Sequence, residues 1–131
     1  MIRHALLLSL LAMPSFTQAD APKDIAGRLV AEWVKDLGDK QALVREEAAA
    51  TLGAAKIAAA VPALEKLLHD ASPSVQRRAA VALWEIDRRT GPAVAVLSAA
   101  VRDPEDAGRR EALEALDRLD LPSQEFVPLL V

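Results

Sequence analysis

The side chains best suited to chemistry in this chain belong to one short segment, and they suit binding better than catalysis. Arg77, Trp84 and Arg88 are spaced seven and four residues apart, so at about 100° per residue they form one stripe on a helix. Val81 lies beside this stripe, and Arg110 occupies a neighbouring face. A tryptophan flanked by arginine is typical of a protein-binding hot spot. We therefore predict that these five residues contact a partner.

A structural role for Trp84 is the alternative. The indole would then fold over the space left by Gly53 and Ala50 and seal the contact between neighbouring units, because tryptophan is usually largely buried. Truncation to Ala would remove partner binding in the first case and stability in the second. Trp33 is predicted to lie in the core, because it aligns with Leu64 and Leu97 of later units.

Residues for acid–base or metal chemistry are sparse. The chain has two histidines and no cysteine. His69 lies beside Asp70 near a predicted helix end, where a histidine interacts favourably with the helix dipole. No His, Cys or Glu spacing typical of a metal site accompanies it. Glu46 and Glu47 fit a solvated helix face better than a general acid–base pair. The sequence therefore predicts no enzyme activity, no catalytic residue, no metal and no cofactor.

Three arginine pairs raise the question of an anionic ligand. They are Arg77-Arg78, Arg88-Arg89 and Arg109-Arg110. Acidic residues are interleaved with them, so ion pairs on helix surfaces explain most of them. The chain carries 16 Lys and Arg against 19 Asp and Glu, a net charge of −3, and no net basic field would attract a polyanion. We predict no nucleic-acid partner.

All of these residues lie in a repeated unit. Val-Pro recurs at Val61-Pro62 and Val127-Pro128, 66 residues apart, and Val94 lies midway. Within each unit, apolar residues spaced three or four apart form two runs, which predicts two amphipathic helices joined by a tight turn. No segment alternates with period two, so no strand is expected. The predicted copies are about 22–55, 56–89 and 92–120, with a partial copy at 123–131.

The strings VPALEKLLHD (61–70) and DASPSVQRRAAVAL (70–83) resemble HEAT repeats, in particular the Ala-rich class that includes phycobilisome-lyase-type proteins. The resemblance covers about residues 28–131. It implies an all-α fold, a short right-handed α-solenoid of about three and a half antiparallel helix pairs. It also implies that the second helix of each pair lines the concave side.

The resemblance further implies a ladder of Asp and Arg residues near the turns within each repeat, bonding neighbouring repeats. The residues that fit these structural positions are Asp39, Arg45, Asp70, Asp103 and Arg109. The second repeat departs from the pattern with Gln76 at the Arg position, and the third has Gly108 where valine is usual. The ladder is therefore expected to be weaker at the second repeat, and the core at the third.

Residues 1–19 are predicted to be a signal peptide. Arg3 supplies a basic start, the run Ala5–Met13 is apolar, and Thr17 and Ala19 are the small residues that a signal peptidase reads. The apolar run spans roughly 14 Å, less than the ~30 Å hydrocarbon core of a bilayer. We therefore expect no stable membrane insertion after cleavage. The domain 20–131 would be exported to a bacterial periplasm or secreted.

A helical array with a long open surface and few reactive groups predicts a non-enzymatic protein–protein interaction module or scaffold with a concave helical surface. Its partner would be a protein or peptide, and apolar ends would allow an end-to-end homodimer. The alternative is an accessory or lyase-like enzyme subunit, by analogy with bilin lyases built on related repeats. The predicted export argues against that alternative.

Overall fold

The computed structural model describes residues 22–104 and 106–119, except for the side chains of Asp106 and Ala107. The described chain contains three helix pairs. Their members are α1 (Val30–Asp36) with α2 (Ala42–Ala54), α3 (Val61–Leu67) with α4 (Pro73–Asp87), and α5 (Thr90–Val101) with α6 (Asp106–Arg118). A short 3-10 helix at Ala58–Ala60 leads into α3. The predicted short all-α solenoid is confirmed.

Two predicted segments fall outside the described residues. These are the signal peptide at 1–19 and the partial copy at 123–131. Within residues 22–104 and 106–119, no helix is long and apolar enough to cross a membrane.

A small β-hairpin precedes the first helix pair, and the expectation of no strand is wrong there. Strands β1 (Asp24–Ile25) and β2 (Arg28–Leu29) pair antiparallel. Ala26 and Gly27 connect them with φ angles of 54° and 75°, the left-handed conformation that a tight two-residue hairpin turn favours. Trp33 of α1 anchors the hairpin, since its indole Nε1 donates to the Ile25 carbonyl over 3.2 Å. Two-residue strands are too short to show alternation in a sequence.

Helix α4 begins and ends where local chemistry dictates. Ser72 caps its N-terminus by accepting the Val75 backbone N–H, and Pro73 occupies the first turn, where its missing N–H costs nothing. Arg88 ends the helix in a left-handed conformation with φ 59°. Its N–H donates to the Trp84 carbonyl over 2.8 Å. This ending is a C-cap built without glycine.

The core forms two clusters along the stack. The first joins helices α1 to α4, with Leu52, Leu64 and Leu83 fully buried. The second joins α5 and α6 around Leu97 and Leu116. Each helix pair thus buries its apolar side against its neighbour, as expected for an array rather than a closed globule.

The second helices of the first two pairs approach each other very closely. A Cβ placed on Gly53 of α2 would lie 2.7 Å from both Cα and Cβ of Ala82 on α4. Real side chains essentially never come so close, so only glycine permits this crossing. Gly53 therefore fixes how tightly α2 packs on α4.

We predict that Gly53→Ala lowers the free energy of unfolding by about 1–3 kcal/mol, because the added methyl group forces α2 and α4 apart. Gly91→Ala is the matched control, since a Cβ at Gly91 would meet nothing within 4 Å. That variant should be neutral, or more stable by up to about 1 kcal/mol. Urea unfolding monitored by circular dichroism measures both. Equal midpoints for the two variants would contradict the packing constraint.

Candidate partner-binding surface

An ion pair joins the first two repeats. Arg45 at the start of α2 donates from Nε and NH2 to the two carboxylate oxygens of Asp70, each over 2.9 Å. Its NH1 also donates to the Asp39 carbonyl over 2.8 Å. The two side chains are only 15% and 10% exposed. The hydrogen bond from Arg45 lowers the pKa of Asp70, and the Ser72 backbone N–H adds to this effect.

The second junction is built differently. Gln76 donates from Nε2 to the Asp70 carbonyl over 2.6 Å, which reproduces the bond from Arg45 to its own turn. The shorter amide replaces the guanidinium that would extend toward the next repeat. Instead, Arg77 donates to Glu111 over 3.0 Å, and Arg78 lies 3.5 Å from the same carboxylate.

Gly108 makes room for this second junction. The guanidinium NH1 of Arg77 lies 3.6 Å from the position that a Cβ of Gly108 would take. The γ-methyl groups of a valine there would meet that guanidinium. The two departures from the repeat pattern, Gln76 and Gly108, therefore belong to one arrangement, in which the pair of Arg77 with Glu111 holds the third repeat.

The predicted binding stripe does not lie on one open surface. The Arg77 side chain is 11% exposed, against 41% for Arg78. Trp84 and Val81 are partly buried against the cluster of α5 and α6. Arg77 and Trp84 therefore face the third repeat. Arg88 is exposed and lies over the indole of Trp84, with its guanidinium carbon 4.1 Å from the ring centroid.

Arg110 is exposed on α6. It occupies the position in the third repeat that Arg77 occupies in the second. The space beside Gly53 is occupied by Ala82 and Glu85 rather than by Trp84. Trp84 thus packs at the junction of the second and third repeats, not at that of the first and second.

The solvent-facing side of α4 lies three residues before the predicted set, and only Val81, at the edge of the α5–α6 cluster, belongs to both. We call the solvent-facing side of the second helices the open face. Its rows follow i, i+4, i+7 and i+11 spacing, and none of its members is buried. They are Leu43, Glu47, Ala50 and Ala54 on α2, Ser74, Arg78, Val81 and Glu85 on α4, and Glu111, Glu114 and Arg118 on α6. Leu43 is 76% exposed, the highest value among large hydrophobic residues in the described part of the chain.

Charges of opposite sign face each other across the open face. Arg78 of α4 pairs with Glu111 of α6, and Glu85 of α4 is attracted by Arg118 of α6. Each pair is separated by 33 residues, with the signs exchanged. A groove of about 420 Å³ lies between these helices, lined by Arg78 of α4 and by four charged residues of α6, Glu111, Glu114, Asp117 and Arg118.

Glu85 is half-buried at the base of this surface. Its carboxylate Oε2 would lie 2.8 Å from a Cβ on Gly53, so it rests on the bare backbone of α2. Burial raises the pKa of Glu85, and the positive charges of Arg118 and Lys56 partly offset this effect. The surroundings of Glu85 therefore favour its neutral carboxyl form over the charged carboxylate.

The open face combines a row on α2 that is apolar except for Glu47 with a charged row on α6. Such a surface can bury an apolar side chain of a partner at one end and exchange ion pairs with it at the other. Within residues 22–104 and 106–119, no three His, Asp or Glu side chains converge in a way that could hold a metal ion.

Comparison with known proteins gives one result. A protein-family model described as HEAT repeats matches residues 30–130, which includes all six helices. No curated protein matches the chain.

We predict that Arg45→Gln lowers the free energy of unfolding by about 1–3 kcal/mol at pH 7. Glutamine at this position can still donate to its own turn, as Gln76 does, but it loses Asp70. Because the pKa of Asp70 is lowered in the folded state, this stabilisation is present at neutral pH and is lost as pH falls below about 4. Urea unfolding at pH 7 and near pH 3 tests this. Arg110→Gln is the control on an exposed site, and a pH-independent gap for Arg45→Gln would rule out the pair with Asp70 as its source.

We predict that Glu85→Gln raises the melting temperature at pH 7 to 8. Because the pKa of Glu85 is raised by folding, its charged form opposes folding, and that penalty disappears as pH falls through the raised pKa. The difference from wild type should therefore close as the pH approaches about 4. Thermal melts followed by circular dichroism measure this. Glu114→Gln, on the exposed rim of the same face, should change stability by no more than about 0.5 kcal/mol, and a lower melting temperature for Glu85→Gln at pH 7 would contradict the assignment.

Proposed function

The chain belongs to the HEAT repeat family, and from this premise we propose that it is a non-enzymatic scaffold that binds a protein segment on its open face. HEAT repeats generally mediate protein–protein interaction. Stacked helix pairs provide a long, pre-formed surface, so a partner can bind without first paying to order the site.

The exposure of Leu43 carries the proposal. This leucine is 76% exposed, and its row continues with the exposed Glu47 and then with the small side chains of Ala50 and Ala54. An exposed leucine on the same helix face as two alanines offers a partner apolar area to bury. We place the apolar contact of the partner here.

The charged end of the open face would fix the orientation of the bound segment. The pair of Arg78 with Glu111 is partly exposed, so partner charges can reach both members. Ion pairs at an exposed edge contribute little affinity but select register and direction. The partner we propose is therefore amphipathic, with an apolar side chain over α2 and charged side chains over α4 and α6.

Trp84 and Arg88 would act from beneath this surface. The indole packs on the third repeat and Arg88 covers it, so a partner would reach the ring only if Arg88 moved. We propose that both residues hold the α4–α6 half of the open face in place.

We further propose that binding takes place after export. The support is the sequence pattern of residues 1–19, with its basic start, its apolar run and its small residues before Asp20. The partner would accordingly be an exported protein.

The test is affinity capture from the exported protein fraction of the native cells, with wild type, Leu43→Glu, Leu113→Glu and Trp84→Ala compared side by side. Leu43→Glu should lose the captured partner at an unchanged melting temperature, because an exposed side chain contributes little to folding. Leu113→Glu is the matched control, a leucine 48% exposed outside the open face, and should capture normally. Trp84→Ala should lose about 3 kcal/mol of stability.

The opposite pattern would overturn the proposal. If Leu43→Glu captured as well as wild type, while Trp84→Ala lost capture at an unchanged melting temperature, the stripe of Arg77, Trp84 and Arg88 would be the binding site instead.

A further inference from the structure

The first helices enclose a second concavity, separate from the open face. It is a groove of about 520 Å³ between α1 and α3. Its floor is formed by Val34, Leu37, Ala63 and Leu67, and its rim carries Lys35 and Lys66. This volume lies in the range of sites that hold a compact ligand.

The groove follows from the way the first two repeats pack. Helices α2 and α4 are drawn together at Gly53, whereas α1 and α3 make few contacts with each other. Each of these first helices has seven residues, and Gly38 at the end of α1 adds no side chain to the gap. The stack is therefore closed on the side of the second helices and open on the side of the first.

The charge of the groove is positive. At its end, Arg45 and Asp70 neutralise each other. Asp36, the acidic neighbour of Lys35, pairs with Arg28 over 2.7 Å. Neither Lys35 nor Lys66 forms an ion pair within the ranges 22–104 and 106–119.

Lys66 resembles Lys35 in that its acidic neighbour is paired with another residue. Glu65, next to Lys66, forms an ion pair with Arg89. Lys35 and Lys66 are 31 residues apart, the spacing between the first two repeats, so their ammonium groups border the groove from equivalent positions on α1 and α3. The third repeat has Ala99 at this position, and the cavity beside Ala99, of about 110 Å³, is lined by the start of α4 and by α5 and carries no lysine. The positively charged groove is thus a feature of the first junction.

We propose that this groove is a second docking site, which binds a peptide segment carrying apolar side chains between acidic ones. The apolar side chains would cover Val34, Ala63 and the edges of the buried leucines, and the carboxylates would pair with Lys35 and Lys66. Apolar contact supplies the affinity, and the two lysines select acidic over basic segments. With the open face on the second helices, the site makes the protein a two-sided adaptor.

The probe is a fluorescein-labelled, amidated peptide with the central sequence Glu-Leu-Leu-Glu, and binding to the full chain is measured by fluorescence anisotropy. The double variant Lys35→Glu/Lys66→Glu should bind at least about tenfold more weakly than wild type. The control Lys23→Glu/Lys40→Glu makes the same change in net charge at exposed lysines outside the groove, and should bind like wild type. Circular dichroism establishes that all variants are folded.

A charge-reversed peptide with the central sequence Lys-Leu-Leu-Lys completes the test. It should bind wild type poorly and bind Lys35→Glu/Lys66→Glu well, which a loss of folding cannot produce. Leu43→Glu should leave Glu-Leu-Leu-Glu binding unchanged, so failure of this site is distinguishable from failure of the open face.

Several outcomes would overturn the proposal. One is the absence of saturable binding to wild type, and another is an equal loss of binding in the Lys23→Glu/Lys40→Glu control. Saturable binding of dodecanoate without binding of the peptide would assign the groove to a fatty acid. Self-association that Lys35→Glu/Lys66→Glu abolishes, seen by sedimentation, would assign it to a second copy of the chain.

Discussion

The close approach of α2 and α4 at Gly53 is the constraint on which the rest of the structure depends. A missing side chain lets the two helices meet at Ala82, with what would be a 2.7 Å contact for any other residue. The first two helix pairs are in close contact through their second helices, whereas their first helices, α1 and α3, make few contacts. The same crossing therefore creates the continuous row of second helices that forms the open face and the gap between α1 and α3 on the opposite side. It also places Glu85 against bare backbone, where burial raises its pKa.

The two junctions of the stack are held by different chemistry. Arg45 and Asp70 form a largely buried, two-point ion pair that also ties each turn to its own helix. At the second junction this role passes to Arg77 and Glu111, and the Nε of Arg77 is buried without a hydrogen-bond partner among the described residues. An unsatisfied buried donor costs free energy. The packing of Trp84 against the cluster of α5 and α6 adds apolar contact at the same junction.

Much of this arrangement could be predicted from the sequence, and the part that could not has a clear physical origin. Periodicity identified the paired helices, because it depends only on the local spacing of apolar residues. The predicted contact residues on α4 share only Val81 with the open face, whose row there begins three residues earlier, at Ser74. Periodicity shows which residues face the core, but a second helix in a stack has neighbours on three sides, so its free side is not directly opposite the core. The direction of those neighbours depends on contacts such as Gly53 with Ala82, which no single segment encodes. The hairpin before α1 was missed because two-residue strands leave no pattern.

The stack separates its two candidate surfaces and holds them in fixed relation. The open face is made by second helices and the lysine-bordered groove by first helices, with the core of Leu52, Leu64 and Leu83 between them. Because that core is shared, a segment bound on one side and a segment bound on the other would be kept at a constant distance, which raises their effective concentration for each other. A rigid spacer of this kind needs no reactive group. Its contribution lies in geometry, and that geometry traces back to a glycine whose lack of a side chain brings two helices together.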